Sequence, residues 1–402
     1  MTHCRICGGP LGEFLNLGRQ PLSDSFRTEI PAHEFFFQLR VAQCDQCRSV
    51  QLMEEVPREK MFIPEYPFMT SSSSGMVQHF TETAGWLRET FPSDDPFVVE
   101  IGCNDGTMLR SMKEAGVRHL GVDPAVETGM VARHAGIQIL SDFFEERTAR
   151  QIAAEQGPAS VVYAANTICH IPYLNDIFKG IHALLAPGGV FVFEDPYLDD
   201  ILRLGSFDQI YDEHYYLLSA TSVASLASRH SFDLVDVLRL PLHGGEVRYV
   251  LARAGEREAS SRVAEMIAAE QENGTHDPAR LKAFADEVAR RGKKLRDALE
   301  QLKAEGRSVA GYAATAKSAT VLNYCGIGSD LLPVIYDTTP AKQGCLTPGS
   351  HIPVKAFPDA AGRPQIYLLF AWNHTAEIIA KETDFTDQGG QWLRYVPEVG
   401  LV

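Results

Sequence analysis

Phe97-Val98-Val99-Glu100-Ile101-Gly102-Cys103-Asn104-Asp105-Gly106 is the stretch on which the fold turns. Its first five residues are an almost unbroken apolar run, the pattern of a strand buried on both faces of a parallel sheet. It leads straight into two glycines, a place where backbone can approach a ligand and a helix can begin. The spacing is Gly-x-x-x-Gly, with an acid two residues before the first glycine. No third glycine follows to seat a pyrophosphate, so this is not the dinucleotide fingerprint. Upstream, Val77, Phe80, Ala84, Leu87 and Phe91 recur at helical spacing. Downstream, strand-length apolar runs at 119–122, 137–140, 160–164 and 190–194 alternate with helix-length segments. That rhythm predicts an α/β, doubly wound sheet.

Outward from this centre the pattern changes twice. Pro64-Glu65-Tyr66-Pro67-Phe68-Met69, followed by the serines 71–74, reads as a linker, because proline removes a donor and serine favours turns. Before it, residues 1–60 hold short β-like runs such as 35–41 and little helical period. After Arg253 the composition shifts to Ala, Glu, Lys and Arg. There Leu281, Phe284, Val288, Leu295, Leu299 and Leu302 trace one helical stripe, which Gly292 is expected to interrupt. Strand-like runs at 308–312, 332–336 and 365–371 then restart the α/β pattern. Three domains are expected, over residues 1–60, 75–253 and 280–402.

Composition narrows what these domains do. The chain has 402 residues, 45% hydrophobic and 22% charged, with a net charge of −15. That sign repels phosphate backbones and anionic lipid, which argues against nucleic-acid and membrane partners. No stretch approaches the roughly 20 apolar residues needed to span a bilayer. The opening Met1-Thr2-His3-Cys4-Arg5-Ile6-Cys7 lacks the marks of a signal peptide, so a cytoplasmic location with reduced thiols is expected. In that setting Cys4-x2-Cys7 and Cys44-x2-Cys47 read as one tetrahedral zinc site. Four thiolates leave no open position, so the zinc is expected to be structural. Cys103, Cys169, Cys325 and Cys345 are scattered and receive no chemistry.

Two constellations point to a reaction. The second strand ends in Gly121-Val122-Asp123, where a carboxylate can accept both hydroxyls of a ribose. Asp142 and Phe143 after the third can add a polar contact and an aromatic wall. With Glu100, Gly102, Asn104 and Gly106 in the glycine loop, this resembles the S-adenosylmethionine site of class I methyltransferases. Then Ser206-Phe207-Asp208-Gln209-Ile210-Tyr211-Asp212-Glu213-His214-Tyr215-Tyr216 packs three tyrosines, three carboxylates and one histidine together. The histidine titrates near neutrality and can take a proton, while the hydroxyls can hold a sugar. A Lys317-Ser318 pair at a helix start, after Gly311-Tyr312, can hold a pyrophosphate. His243-Gly244-Gly245 reads as a hairpin turn.

Taken with Gly18-Arg19-Gln20-Pro21-Leu22-Ser23-Asp24, the block from Lys342 to Gly344 and Thr347-Pro348-Gly349-Ser350-His351-Ile352-Pro353, these motifs resemble the nucleotide-sugar C-methyltransferases. Members install the methyl branch of deoxysugars such as mycarose and tetronitrose. The resemblance implies a zinc-binding module, a methyltransferase Rossmann-like domain and a C-terminal Rossmann-like domain that helps hold the sugar nucleotide. It implies methyl transfer to carbon 3 of a dTDP-linked 4-keto-6-deoxysugar, with His214 as the base. Tyr66, His170, Tyr211 and Glu213 would line the sugar pocket, His243 would shape its rim, and the protein would be a monomer. Carbon 5 or a GDP-linked sugar is the alternative within the family. Outside it stand an RNA or protein methyltransferase and a non-catalytic cofactor-binding protein.

Overall fold

The computed structural model describes residues 2–61 and 69–402. At the N-terminus β1 (Leu11–Pro21), β2 (Phe36–Cys44) and β3 (Val50–Leu52) pair antiparallel in chain order. Cys44 closes β2 and Cys47 lies in the turn to β3, so one knuckle is built directly onto the sheet.

The central domain carries β4 (Phe97–Ile101), β5 (Arg118–Val122), β6 (Ile139–Leu140), β7 (Ala159–Ala165) and β8 (Leu185–Pro196). A short β9 (Tyr216–Leu217) leaves this domain to complete the N-terminal sheet against β3. The chain then returns as β10 (Phe232–Leu240) and β11 (Glu246–Arg253). The strand order is β10-β11-β8-β7-β4-β5-β6, with β11 antiparallel to both neighbours. The apolar run that opened the sequence reading lies inside the sheet as β4, between β7 and β5, buried along its whole length. The β10–β11 hairpin adds to the strands expected from sequence, and His243-Gly244-Gly245 forms its turn with φ of 47°, 92° and 122°.

The C-terminal domain has β12 (Val309–Tyr312), β13 (Ile335–Tyr336), β14 (Val354–Lys355), β15 (Ile366–Leu369), β16 (Gln391–Arg394) and β17 (Gly400–Leu401). They lie in the order β14-β13-β12-β15-β16-β17, parallel except for β17. Among the described residues no helix is long and apolar enough to cross a membrane.

Two sequence expectations need correction. The helix Ser74–Thr90 begins inside the serine run read as linker, because the Ser73 hydroxyl accepts from the Met76 amide at 3.4 Å and caps it. The helix Pro278–Ala304 runs unbroken through Gly292. A Cβ there would stand 3.0 Å from a Tyr324 ring carbon, so the glycine serves close packing rather than a break.

Candidate active site

The glycine loop stands where parallel sheets bind ligands, outside the carboxyl ends of the strands. Gly102 has φ of +69°, and a Cβ there would fall 2.3 Å from the Thr167 hydroxyl, so only glycine lets the ends of β4 and β7 meet. Asn104, at φ 50°, donates its backbone N–H to Asp123 Oδ2 at 2.8 Å, and Ala125 donates to Asp123 Oδ1 at 2.8 Å. Gly106 caps the helix Thr107–Glu114 in the left-handed region. Two further pins escaped the sequence reading: Thr70 N–H reaches Asn104 Oδ1 at 3.0 Å and Ser71 N–H reaches Asp105 Oδ2 at 2.9 Å. Glu100 is buried and its Oε2 has no hydrogen-bond partner among the described residues. Burial, then the charges of Asp123 and Asp105, hold its pKa well above the usual range. Asp142 pairs with Arg147 at 2.9 Å, and the Phe143 ring lies 4.1 Å beneath the Arg58 guanidinium. A buried carboxyl with one oxygen left over, beside a loop opened by two left-handed glycines, fits a loop shaped around a polar cofactor.

Past the end of β7 the chain reaches the histidines. His214 is buried, its Nδ1 lies 2.7 Å from the Gln209 carbonyl, and its Nε2 lies 2.8 Å from the Tyr211 hydroxyl. A carbonyl accepts only, so Nδ1 carries the proton and Nε2 keeps its lone pair, accepting from Tyr211. The His170 ring centroid is 5.1 Å from that of His214, and His170 Nδ1 is 3.8 Å from Glu213 Oε2. Burial, then the neighbouring charges of His170 and Lys317, lowers the His214 pKa well below the ordinary histidine value. Burial pulls His170 down to about 4. Four of the five residues expected to do chemistry are thereby brought together, and the fifth, Tyr66, lies outside the described residues.

Three further buried ionisable groups, Asp195, Glu246 and Lys317, carry atoms without a hydrogen bond among the described residues; Asp195 Oδ2 accepts from the Cys169 amide at 3.2 Å and only its Oδ1 is left over. Asp195 ends the apolar run of β8, and burial pushes its pKa up to about 8. Glu246 opens β11 with neither carboxylate oxygen hydrogen-bonded among the described residues, although His243 Nε2 stands 4.0 Å away. Glu194, next to Asp195, shows the contrast: it receives Arg248 Nε at 2.6 Å and His79 Nε2 at 2.6 Å. An unpaired buried carboxylate costs several kcal/mol, so Glu246 does not serve stability. Lys317 Nζ is buried without a hydrogen-bond partner among the described residues, 5.7 Å from the Trp372 ring centroid. Ser318 closes its own helix cap, its hydroxyl donating to the Thr315 carbonyl at 2.5 Å. The sequence reading gave no role to Asp195 and Glu246.

Cys4, Cys7, Cys44 and Cys47 converge with all four sulfurs within 4.8 Å of one another. The Ile6 amide donates to Cys4 Sγ and the Gly9 amide to Cys7 Sγ, each at 3.3 Å, the arrangement of thiolate knuckles. This all-sulfur donor set fits a closed, structural zinc site.

Comparison with known proteins agrees with this layout. Residues 4–62 match the family "Putative zinc binding domain", residues 78–237 match "Methyltransferase domain", and residues 241–397 match "C-methyltransferase C-terminal domain". The chain is 33% identical over 408 residues to the C-methyltransferase NovU of Streptomyces niveus, covering all of this chain and 97% of that one. It is 30% identical over 112 residues to a ubiquinone biosynthesis O-methyltransferase of Bordetella pertussis, covering 27% of this chain and 46% of that enzyme. Among solved structures, the magnesium protoporphyrin IX methyltransferase of Synechocystis with bound SAM aligns at 11% identity and a TM-score of 0.34. That alignment covers 45% of this chain and 80% of that one.

Proposed function

Because the chain belongs to the C-methyltransferase family, we propose that it transfers the methyl group of S-adenosylmethionine to carbon 3 of a nucleotide-linked 4-keto-6-deoxysugar, with dTDP as the nucleotide and His214 as the base. The observation that carries this reading is the buried His214, neutral, with Nδ1–H fixed on the Gln209 carbonyl and the Nε2 lone pair turned toward Tyr211. A ketone acidifies the hydrogen on its neighbouring carbon. His214 Nε2 takes that proton, and the C–H electron pair becomes the enolate. The Tyr211 phenol, already oriented by His214, donates to the enolate oxygen, and His170 with Glu213 lines the ring. When bound, S-adenosylmethionine supplies the electrophilic methyl group. The enolate carbon would take that methyl as the methyl–sulfonium bond breaks, releasing S-adenosylhomocysteine and re-forming the ketone, and the proton leaves His214 for water.

The cofactor falls to Glu100, Gly102, Asn104, Gly106, Asp123, Asp142 and Phe143. The substrate falls to Lys317, Ser318 and His243, and Tyr66, outside the described residues, is assigned to the sugar pocket by the family resemblance alone. The zinc module is structural. His214→Asn tests the reading: it keeps the shape and removes the base, so turnover should fall by about 10²- to 10⁴-fold, with S-adenosylhomocysteine affinity unchanged. Full activity in that variant would remove His214 from the base position.

A further inference from the structure

The charged groups between the central and C-terminal domains are arranged as if something were to stand between them. Glu246 is completely buried, and neither of its oxygens makes a close hydrogen bond among the described residues, although the Asn166 side chain and His243 Nε2, at 4.0 Å, stand beside it. Lys317 Nζ, from the opposite domain, is also buried and without a hydrogen bond there. The two flank one feature: His243 Nε2 is 4.0 Å from Glu246, the adjoining Gly244 packs against the Trp372 indole, and Lys317 Nζ is 5.7 Å from the Trp372 ring centroid; the charge of each favours the ionised form of the other, against the larger effect of burial. Yet no ion pair joins them among the described residues, although one would satisfy both. Other acids in the neighbourhood are engaged: Glu194 by Arg248 and His79, and Asp208 by Trp372 Nε1 at 2.6 Å and the Tyr395 hydroxyl at 2.7 Å.

A buried acceptor and a buried donor that are not paired with each other call for a group that is both. We propose that Glu246 and Lys317 form a subsite for one hydroxyl of the substrate's sugar ring, Glu246 accepting its O–H and Lys317 donating to its oxygen. This rests on the reading that the cleft takes a sugar nucleotide. A hydrogen in place of the hydroxyl leaves both groups buried and unpaired. An ammonium substituent is repelled by Lys317. A carbonyl offers Glu246 no donor. The subsite thereby selects hydroxyl-bearing sugars and assigns Lys317 to the ring rather than to the pyrophosphate.

The test fixes the nucleotide and the 4-keto group and compares sugars carrying hydroxyl, hydrogen or amino at carbon 2 or carbon 3, using wild type, Glu246→Gln and Lys317→Met. Wild type should prefer hydroxyl over hydrogen at one of these carbons by about 10- to 100-fold in kcat/KM, the worth of a hydrogen bond to a charged group. Each variant should reduce that preference to about threefold or less, and Lys317→Met should improve the amino sugar. Unchanged S-adenosylhomocysteine affinity shows that the variants are folded. Variants that keep the wild-type preference would overturn the subsite. If wild type methylates none of the sugars, the functional reading fails, and competition binding of the same sugars with S-adenosylhomocysteine present decides the subsite separately. A hydroxyl preference lost in both variants supports it, and its survival in them overturns it.

Discussion

His214 is held neutral by its surroundings, and that fixes how activity should respond to pH. A free histidine is half-protonated near pH 6.5, but here burial and then the charges of His170 and Lys317 oppose protonation. In the proposed mechanism the unprotonated form is the active one. Lowering its pKa therefore moves the acid limb to lower pH, and kcat/KM should stay level from about pH 8 down through about pH 6.5 before it falls. An acid limb centred at or above about pH 6.5 would mean that another group is the base. At this scale the sequence was informative about residue types and poor on their duties. The mixture in 206–216 marked the site, yet Asp212 within it accepts from the Ser23 amide at 3.0 Å, and the Tyr216 hydroxyl donates to the Pro172 carbonyl at 3.0 Å. That Glu246 and one oxygen of Asp195 are buried without a hydrogen bond among the described residues could not be read from the sequence, because it is a property of three-dimensional packing.

Among the elements, β9 connects metal to chemistry. It follows His214 by one residue and pairs with β3, Gln51 against Tyr216 and Val50 against Leu217. β3 itself starts three residues after the ligand Cys47. Asn175 Nδ2 donates to the carbonyls of Arg5 and Ile6, each at 3.0 Å, and ties the other knuckle to the central domain. The zinc module is therefore a rigid backing for the segment that ends in the base. Cys44→Ser should release zinc and lower kcat by about 10-fold or more, the cost of a base displaced by about an ångström, while S-adenosylhomocysteine still binds the separate glycine loop. Elemental analysis and steady-state kinetics check it, and a zinc-free variant with wild-type kcat would contradict it. The CxxC spacing announced this module, because four thiolates at that spacing have few other uses. The pairing of a two-residue strand with one over 160 residues away left no local trace. β1 was missed for a related reason: its register shifts at Glu13/Leu15 and Asn16/Arg19 break the alternation that identifies a strand.

Across the whole molecule, the C-terminal domain grips the catalytic segment rather than merely facing it. Asp208 accepts from Trp372 and Tyr395, Thr320 Oγ1 donates to the Ile210 carbonyl at 3.0 Å, and Arg291 Nη1 donates to the carbonyls of Leu204 and Gly205, each at 2.7 Å. Gly244 in the β10–β11 turn packs under Trp372, where a Cβ would stand 2.3 Å from the indole. Tyr395→Phe removes one donor to a buried carboxylate and should cost about 1.5 to 3 kcal/mol in chemical denaturation. An unchanged denaturation curve would show that the grip is not energetic. The α/β rhythm foretold a second sheet at this end of the chain, since buried parallel strands announce themselves by composition. That the C-terminal domain would help hold the same sugar nucleotide was implied by the resemblance to a family rather than by periodicity.

The central claim is that this assembly makes an enolate and methylates its carbon. Purified protein with S-adenosylmethionine and a dTDP-linked 4-keto-6-deoxysugar should yield a product whose NMR spectrum places the new methyl on carbon 3. A methyl on oxygen or nitrogen, or on carbon 5, would contradict the account.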